Sequence, residues 1–258
     1  MKTIKEIYAY REMIVSLVKK DLRGRYKGSV LGFLWTFINP LLQLAVYTLV
    51  FSIILRSDID KYYLFLFVAL IPWIFFAGSL TAGSSCILAQ KDMVKKIYFP
   101  RQVLPIAHVT TCFVNMLLSF IVIFAVVAFS GIGLNIKALC YLPIIMMVEY
   151  ILALGFTLLT SALTVYLRDL EYILGIVTMA WQFLTPIMYS IDIVPQNVMA
   201  IFLANPMTSI IIAYRDILYY KQIPQINTLL HAFLLGVLVL IIGSIIFNKL
   251  QKHFAEEL

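Results

Sequence analysis

The sequence predicts an all-α polytopic membrane protein. Six transmembrane helices are expected, with an amphipathic interfacial helix before the first and short re-entrant external helices between spans 5 and 6. Three observations carry this expectation. The 258 residues are 62% hydrophobic and only 13% charged, against about 25% charge in a soluble domain. Mean hydropathy is +0.96. Charge is absent from whole windows: between Lys27 and Arg56, Lys61 and Lys91, Arg101 and Lys137, Glu171 and Asp192, and Lys221 and Lys249. An apolar helix of about 20 residues crosses the hydrocarbon core while satisfying its own backbone. Five such windows, and a sixth interrupted only by Glu149, exclude a soluble enzyme, a DNA-binding module and a transmembrane barrel.

Residues 1–28 form the first element. Ile4, Ile7, Ile14, Val15, Val18 and Leu22 recur near helical spacing, with Lys2, Lys5, Glu6, Glu12, Lys19 and Lys20 elsewhere on the wheel. This fits a basic amphipathic helix on the inner leaflet, or one packed on a partner protein. Gly24, Gly28 and Gly32 follow at four-residue steps, either a close-approach face or a simple bend at the elbow into span 1. Residues 29–258 then read as a single six-span domain, with spans near 33–55, 63–89, 102–130, 139–165, 172–190 and 227–248. With both termini inside, fifteen of the twenty Lys and Arg fall on the cytoplasmic side, the bias that orients membrane proteins. The net charge of +7 is thereby a topology signal, and no nucleic-acid partner is expected. No short apolar core with a small-residue cleavage site opens the chain, so no cleavable signal peptide is expected. Residues 193–214 carry no charge, but Pro195, Gln196, Asn197, Asn205 and Pro206 cut them into short pieces. We read them as two short helices dipping into the outer leaflet. Broken backbone at that depth must be buried in protein or line a wet cavity, which makes 191–222 the candidate external gate.

Polar side chains are costly in lipid, so their placement shows which faces avoid it. Span 1 carries Trp35, Asn39, Gln43 and Tyr47 at four-residue steps. Span 3 carries His108, Thr111, Asn115 and Ser119; span 4 carries Glu149, Thr157, Thr160 and Thr164. Span 5 carries Thr178, Gln182, Thr185 and Tyr189 beside Trp181 and Pro186. Such stripes serve either as interhelical glue, at about 0.6–2 kcal/mol per bond, or as the lining of a lumen. For spans 3 and 4 glue is the preferred reading. For spans 1 and 5 amides combine with aromatic rings, and a lumen suited to a sliding sugar chain is preferred. Trp35, Asn39, Gln43, Tyr47, Trp181, Gln182, Thr185 and Tyr189 are its candidate lining. Span 6 has little beyond His231 and Ser244 and is expected at the lipid-facing rim. Glu149, the only acid inside a span, lacks a basic partner and reads best as a protonated or hydrogen-bonded structural group. Cys86, Cys112 and Cys140 have neither metal-knuckle nor disulfide-framework spacing, and no metal site is expected.

No G-x-x-x-x-G-K-[ST] phosphate loop occurs; Gly24-Arg-Tyr-Lys-Gly28-Ser29 lacks its Gly-Lys pair. A transporter with neither nucleotide site nor ion relay must be driven from outside itself. The candidate docking element is the cytoplasmic segment 90–101, helix-like, with Met93, Val94, Ile97 and Phe99 offered as apolar contacts and ended by Pro100. The loop from Tyr166 to Tyr172 could brace it or touch the partner.

Several motifs are recognisable together. Asp21-Leu-Arg-Gly-Arg-Tyr-Lys-Gly-Ser-Val-Leu-Gly-Phe-Leu-Trp35, followed by Asn39-Pro40, resembles the N-terminal signature of ABC-2-type permeases that export cell-surface polysaccharides. Lys95-Lys-Ile-Tyr-Phe-Pro-Arg101 with Leu104-Pro105 is similar to that family's coupling segment. Arg168-Asp169, Thr185-Pro186-Ile187, Asn205-Pro206 and Tyr214-Arg215-Asp216 resemble its later motifs in the same order. The nearest likeness is to O-antigen permeases, with teichoic-acid permeases next. An asparagine common in the family before the coupling segment is absent, where Cys86 and Gln90 stand.

The resemblance implies a homodimer in the bacterial inner membrane, each subunit docked on a separate ATP-binding-cassette ATPase. ATP and Mg would then sit on that partner, leaving this chain without cofactor. It implies a channel at the subunit interface for a lipid-linked polysaccharide. Coupling would fall to Gln90, Met93, Val94, Lys95, Ile97, Tyr98, Phe99, Pro100 and Arg101, with Arg168 and Asp169. The external gate would include Pro195, Asn205, Pro206, Tyr214, Arg215 and Asp216. The alternatives are a lipid or drug exporter of the same superfamily, and a membrane enzyme using Glu149 with Asp192 or Asp216.

Overall fold

A computed structural model describes residues 2–24, 31–54, 56, 58–131 and 133–258, with backbone alone at 2–4 and 255. Among these residues every regular element is helical. Five helical stretches are long and apolar enough to cross a membrane: Gly32–Ile54, Tyr62–Ser84, Val103–Ser130, Ile136–Tyr166 and Ile226–His253. A sixth crossing is reached when the helices Gln196–Ala204 and Pro206–Leu218, bent by 91° to one another, are taken as one.

The chain opens with α1 (Lys2–Ala9) and α2 (Arg11–Gly24). Leu17 of α2 is buried, and Met13, Ile14 and Val18 pack beside it against the bundle, while Lys19 and Lys20 stay outside. Gly28 and the rest of the elbow motif at 25–30 lie outside the described residues. Span 1 is α3 (Trp35–Thr48), entered through a tight turn at Gly32–Leu34 and extended by a wider turn at Leu49–Ile54. It is the least buried of the five long helices.

Span 2, α4 (Tyr62–Ser84), is the most buried and forms the centre of the bundle. It stops five residues before the expected end. The Ser84 hydroxyl donates to the Thr81 carbonyl at 2.6 Å and Ser85 donates to Ala82 at 3.4 Å, so side chains take over the last turn. A short α5 (Lys91–Lys96) precedes span 3, α6 (Val103–Ser130). Span 4 is α7 (Ile136–Leu139) leading into α8 (Leu142–Tyr166).

The fifth expected span departs most. Its helix, α9 (Leu170–Phe183), has 14 residues, about 21 Å at 1.5 Å rise, short of the roughly 30 Å hydrocarbon core. Pro186 is the cause: it has no N–H, and it pushes the residue before it out of helical geometry. Residues 184–190 fold as a turn inside the protein, with Thr185, Ile187 and Met188 buried. Beyond them lie α10 (Gln196–Ala204) and α11 (Pro206–Leu218). The last span is α12 (Ile226–Leu250), followed by the small α13 (Phe254–Glu257).

Span 6 exposes Leu234, Leu238, Ile241 and Ile245 along one side. Its other side meets α8 at a glycine crossing. A Cβ on Gly155 would stand 2.6 Å from the Leu240 nitrogen, and one on Gly243 would run into the Gly155 carbonyl. Backbones approach this closely only where side chains are missing.

Candidate translocation path and coupling surface

The span 1 stripe divides along its length. Trp35 and Asn39, with Thr36 and Pro40, wall a cavity of about 490 Å³ whose other sides are α4, at Ile71 to Ala82, and α6, at Cys112 to Ser119. Gln43 lies on the exterior of the single chain. Tyr47 is half-buried and its hydroxyl accepts from the Gln182 amide at 3.4 Å, which joins spans 1 and 5.

The remaining span 5 candidates turn toward the protein. The Trp181 indole N–H donates to the Asn205 side-chain oxygen at 3.0 Å. The Asn205 amide donates to the Thr185 hydroxyl at 2.9 Å and to the Leu184 carbonyl at 3.2 Å. The same Asn205 oxygen accepts from the Met207 N–H at 3.0 Å, capping α11, where Pro206 occupies the first turn and needs no partner. Trp181 also packs edge-on against Phe76 and Phe156. Tyr189 donates to the Phe183 carbonyl at 2.6 Å and closes the turn. Asn205 is thus a knot tying the end of α9 to the start of α11.

A second knot holds the unwound segment after α9. Arg215 is 3% exposed. Its guanidinium donates to the carbonyls of Pro186 at 2.5 Å, Ile187 at 2.6 Å, Tyr189 at 3.3 Å and Phe65 at 3.4 Å. It also lies 3.5 Å over the Phe65 ring, a favourable cation–π position. The Tyr62 hydroxyl donates to the Met188 carbonyl at 2.8 Å. The four successive carbonyls of residues 186–189, outside any helix, therefore each receive a side-chain donor. Beside Arg215, the Tyr214 hydroxyl donates to Glu149 at 2.7 Å, with both residues fully buried. The other Glu149 oxygen meets no donor among the described residues. Tyr214 and Arg215 thus brace the interior, and Arg215 and Asp216 border a cavity of about 360 Å³ with Asp192 and Gln222. Pro195 precedes α10, which exposes Ile201 and Leu203; α11 is buried along almost its whole length.

Of the span 4 hydroxyls, Thr157 joins helices, donating to the Ser79 carbonyl of α4 at 2.9 Å, whereas Thr160 and Thr164 bond carbonyls of their own helix.

At the other end, the segment 90–101 is α5 followed by extended chain, and the structure corrects which of its residues are available. Val94 and Phe99, expected as outward contacts, are buried with Leu17, Val165, Phe247 and Phe254. The helix ends before Ile97, which is extended at φ −127° and ψ 136°. Ile97 and Tyr98 both stand exposed, Tyr98 at 95%, and Phe99 turns inward. Lys95 is also outside; Met93, Gln90 and Pro100 are half-buried. Arg101 donates to the Gln251 carbonyl, and Gln102 donates to Asn248 at 2.8 Å, fixing the start of α6 to the end of α12. Arg168 and Asp169 are exposed in the loop between α8 and α9, beside exposed Leu167 and Tyr172. Among the described residues no three His, Cys, Asp or Glu side chains could hold a metal ion together.

Sequence reasoning missed the Arg215 brace and the Gly155–Gly243 crossing. The signal for the first was present: an arginine ends a run otherwise uncharged since Asp192. The signal for the second is weak, since glycine spacing alone does not name a partner helix.

Comparison with known proteins agrees with this architecture. The model of the ABC-2 type transporter family matches residues 12–219. The chain is 34% identical over 260 residues, all of both chains, to the O-antigen export system permease protein RfbA of Myxococcus xanthus. It is 34% identical to a protein of the same name from Klebsiella pneumoniae, covering 95% of this chain and 94% of the other. Another Klebsiella pneumoniae protein of that name is 32% identical over the same shares. The chain is a multi-pass membrane protein that belongs to the ABC-2 type transporter family.

Proposed function

We propose that this chain is the permease subunit of an ATP-driven exporter that carries a lipid-linked, O-antigen-type polysaccharide to the outer face of the bacterial inner membrane. The observation that carries this reading is identity at about one residue in three along the entire length of a permease named for O-antigen export. Both termini are cytoplasmic in this reading, as the fifteen-to-five distribution of Lys and Arg supports. Two copies form the conduit, with spans 1 and 5 along the path and 191–222 at its outer mouth. Each copy docks an ATP-binding-cassette subunit, which holds ATP and Mg, through the exposed tip at Lys95, Ile97 and Tyr98 with Arg168 and Asp169.

The division of labour follows from the chemistry. The buried Glu149 is engaged by Tyr214 and does not face the cavity that holds Asp192 and Asp216, so it pairs with neither for hydrolysis. What the chain supplies is a surface of amides, hydroxyls and rings, and a docking tip that moves with the bundle. Loss of the gene tests this directly. The expected result is lipid-linked polysaccharide accumulating on the cytoplasmic side with none at the surface, restored by the intact gene. Unchanged surface polysaccharide in the deletion strain would overturn the reading, and accumulation of a different lipid would reassign the substrate.

A further inference from the structure

Two cavities in this subunit are neighbours. The upper one, of about 490 Å³, lies between α3, α4 and α6. The lower one, of about 420 Å³, lies between α2, the segment after α4, and the start of α6. Both are within the roughly 300–1,000 Å³ range of ligand pockets. Ala82 belongs to the walls of both, and the α6 wall passes from Thr111 in the lower to Cys112 in the upper. Joined at Ala82, they form a groove that runs from Ile71 of α4 past the helix end at Ser84 to Gln90. The upper part alone, from Ile71 to Ala82, is about 16 Å long at 1.5 Å per residue.

In this groove formal charge is confined to the lower chamber. Its upper chamber mixes apolar walls at Ile71, Ile74, Phe75 and Met116 with polar groups at Thr36, Asn39, Asn115 and Ser119. Its lower chamber has Lys20, Asp21, Gln90, His108 and Thr111. Lys20 is exposed, with no carboxylate in ion-pair distance among the described residues. His108 marks the junction, its ring nitrogen 3.4 Å from the Gly78 carbonyl.

Two glycines of α4 show that the space is kept open. A Cβ on Gly83 would stand 2.6 Å from the Thr157 methyl, so that glycine serves helix packing. A Cβ on Gly78 would meet nothing within 4 Å. Gly78 and Ala82, four residues apart on one face, both line the upper chamber. A side chain at Gly78 would start into this space with no neighbour beside its Cβ.

We infer that this groove within each subunit is the loading site for the lipid anchor of the exported glycan. It rests on the export reading and adds where the substrate first binds. The anchor's long apolar chain lies along Ile71, Phe75 and Met116. Its phosphate meets Lys20, and the first sugar's hydroxyls donate to Asp21 and Gln90. A chain bound between α3 and α4 would load from the inner leaflet before any glycan reaches the subunit interface.

The experiment uses the full-length protein in nanodiscs and a photoreactive isoprenoid monophosphate as probe, with labelled peptides identified by mass spectrometry. Labelling is expected on α4 from Gly78 to Ala82 and on α6 around Cys112. Gly78→Leu should weaken retention of the probe about tenfold, the scale of one lost pocket contact, with an unchanged melting temperature. Ala82→Leu serves as the second filled-groove variant, and Lys20→Glu should weaken retention as well. Unlabelled isoprenoid phosphate should compete and phosphatidylglycerol should not. Equal competition by phosphatidylglycerol would make the groove a general lipid site and overturn the inference. So would labelling confined to the outer faces of α3 and α9, unaffected by filling the groove. Either result leaves the export reading standing, because that falls only if the deletion strain keeps its surface glycan.

Discussion

Arg215 brings a full charge into a buried position, and the structure shows how this is tolerated. A guanidinium has five N–H donors in a fixed planar fork, and here they are spent on backbone carbonyls rather than on a carboxylate. Lysine, with a point-like ammonium, could not reach the same set. Arg215→Met leaves the Pro186 and Ile187 carbonyls without their donor. An unsatisfied buried polar group costs about 1–3 kcal/mol, so a loss of about 2–5 kcal/mol is expected, read as a lower melting temperature in detergent and faster proteolysis near 184–190. Arg215→Lys should recover only part of it. An unchanged melting temperature in Arg215→Met would show that the segment holds itself. The sequence displays the arginine, but its partners come from segments about 26 to 150 positions away, which no local pattern records.

Among the elements, α5 and the chain after it show how a change of period sets function. A helical reading of Met93, Val94, Ile97 and Phe99 offers all four to a partner, yet the helix ends at Lys96, and beyond it Ile97 and Tyr98 face outward while Phe99 is buried. Tyr98→Ala should therefore leave stability within about 0.5 kcal/mol while weakening association with the ATPase subunit in pull-down. Phe99→Ala should cost about 3–5 kcal/mol, read by melting temperature. The reverse pattern would invert the assignment of the docking tip. The α8–α12 pair gives a second case. Gly243→Leu would thrust a side chain into the Gly155 carbonyl, and overpacking of this kind costs about 1–3 kcal/mol or more. A drop in yield of folded protein is expected, whereas Gly78→Leu, which enters open space, should melt like the parent. Pro186 is the element-scale feature most visible beforehand, yet a charge-free window alone does not reveal that the helix before it stops short.

For the whole molecule, charge and hydropathy sufficed to place the long helices. Four of the expected spans coincide with α3, α6, α8 and α12 to within a few residues, because the bilayer imposes both length and internal hydrogen bonding. What that constraint does not encode is which side of each helix faces protein. The span 1 stripe is shared between a cavity wall and the exterior. In the span 5 stripe Trp181 and Thr185 bond Asn205, Gln182 bonds Tyr47, and Tyr189 bonds the Phe183 carbonyl. The external segment consists of one exposed helix and one buried helix. In the single chain α3 exposes Leu42 and Val46, the turn after it exposes Ile53, and α9 exposes Ile176, Met179 and Phe183. In the proposed homodimer these two helices flank the path.

Reconstitution separates conduit from motor most directly. Proteoliposomes would carry the purified chain, alone or with the proposed ATP-binding-cassette partner, and lipid-linked glycan reaching the far leaflet would be measured with and without ATP. Transfer is expected only with both proteins and ATP present, and none with a hydrolysis-deficient partner. ATP hydrolysis or glycan transfer by this chain alone would contradict the account.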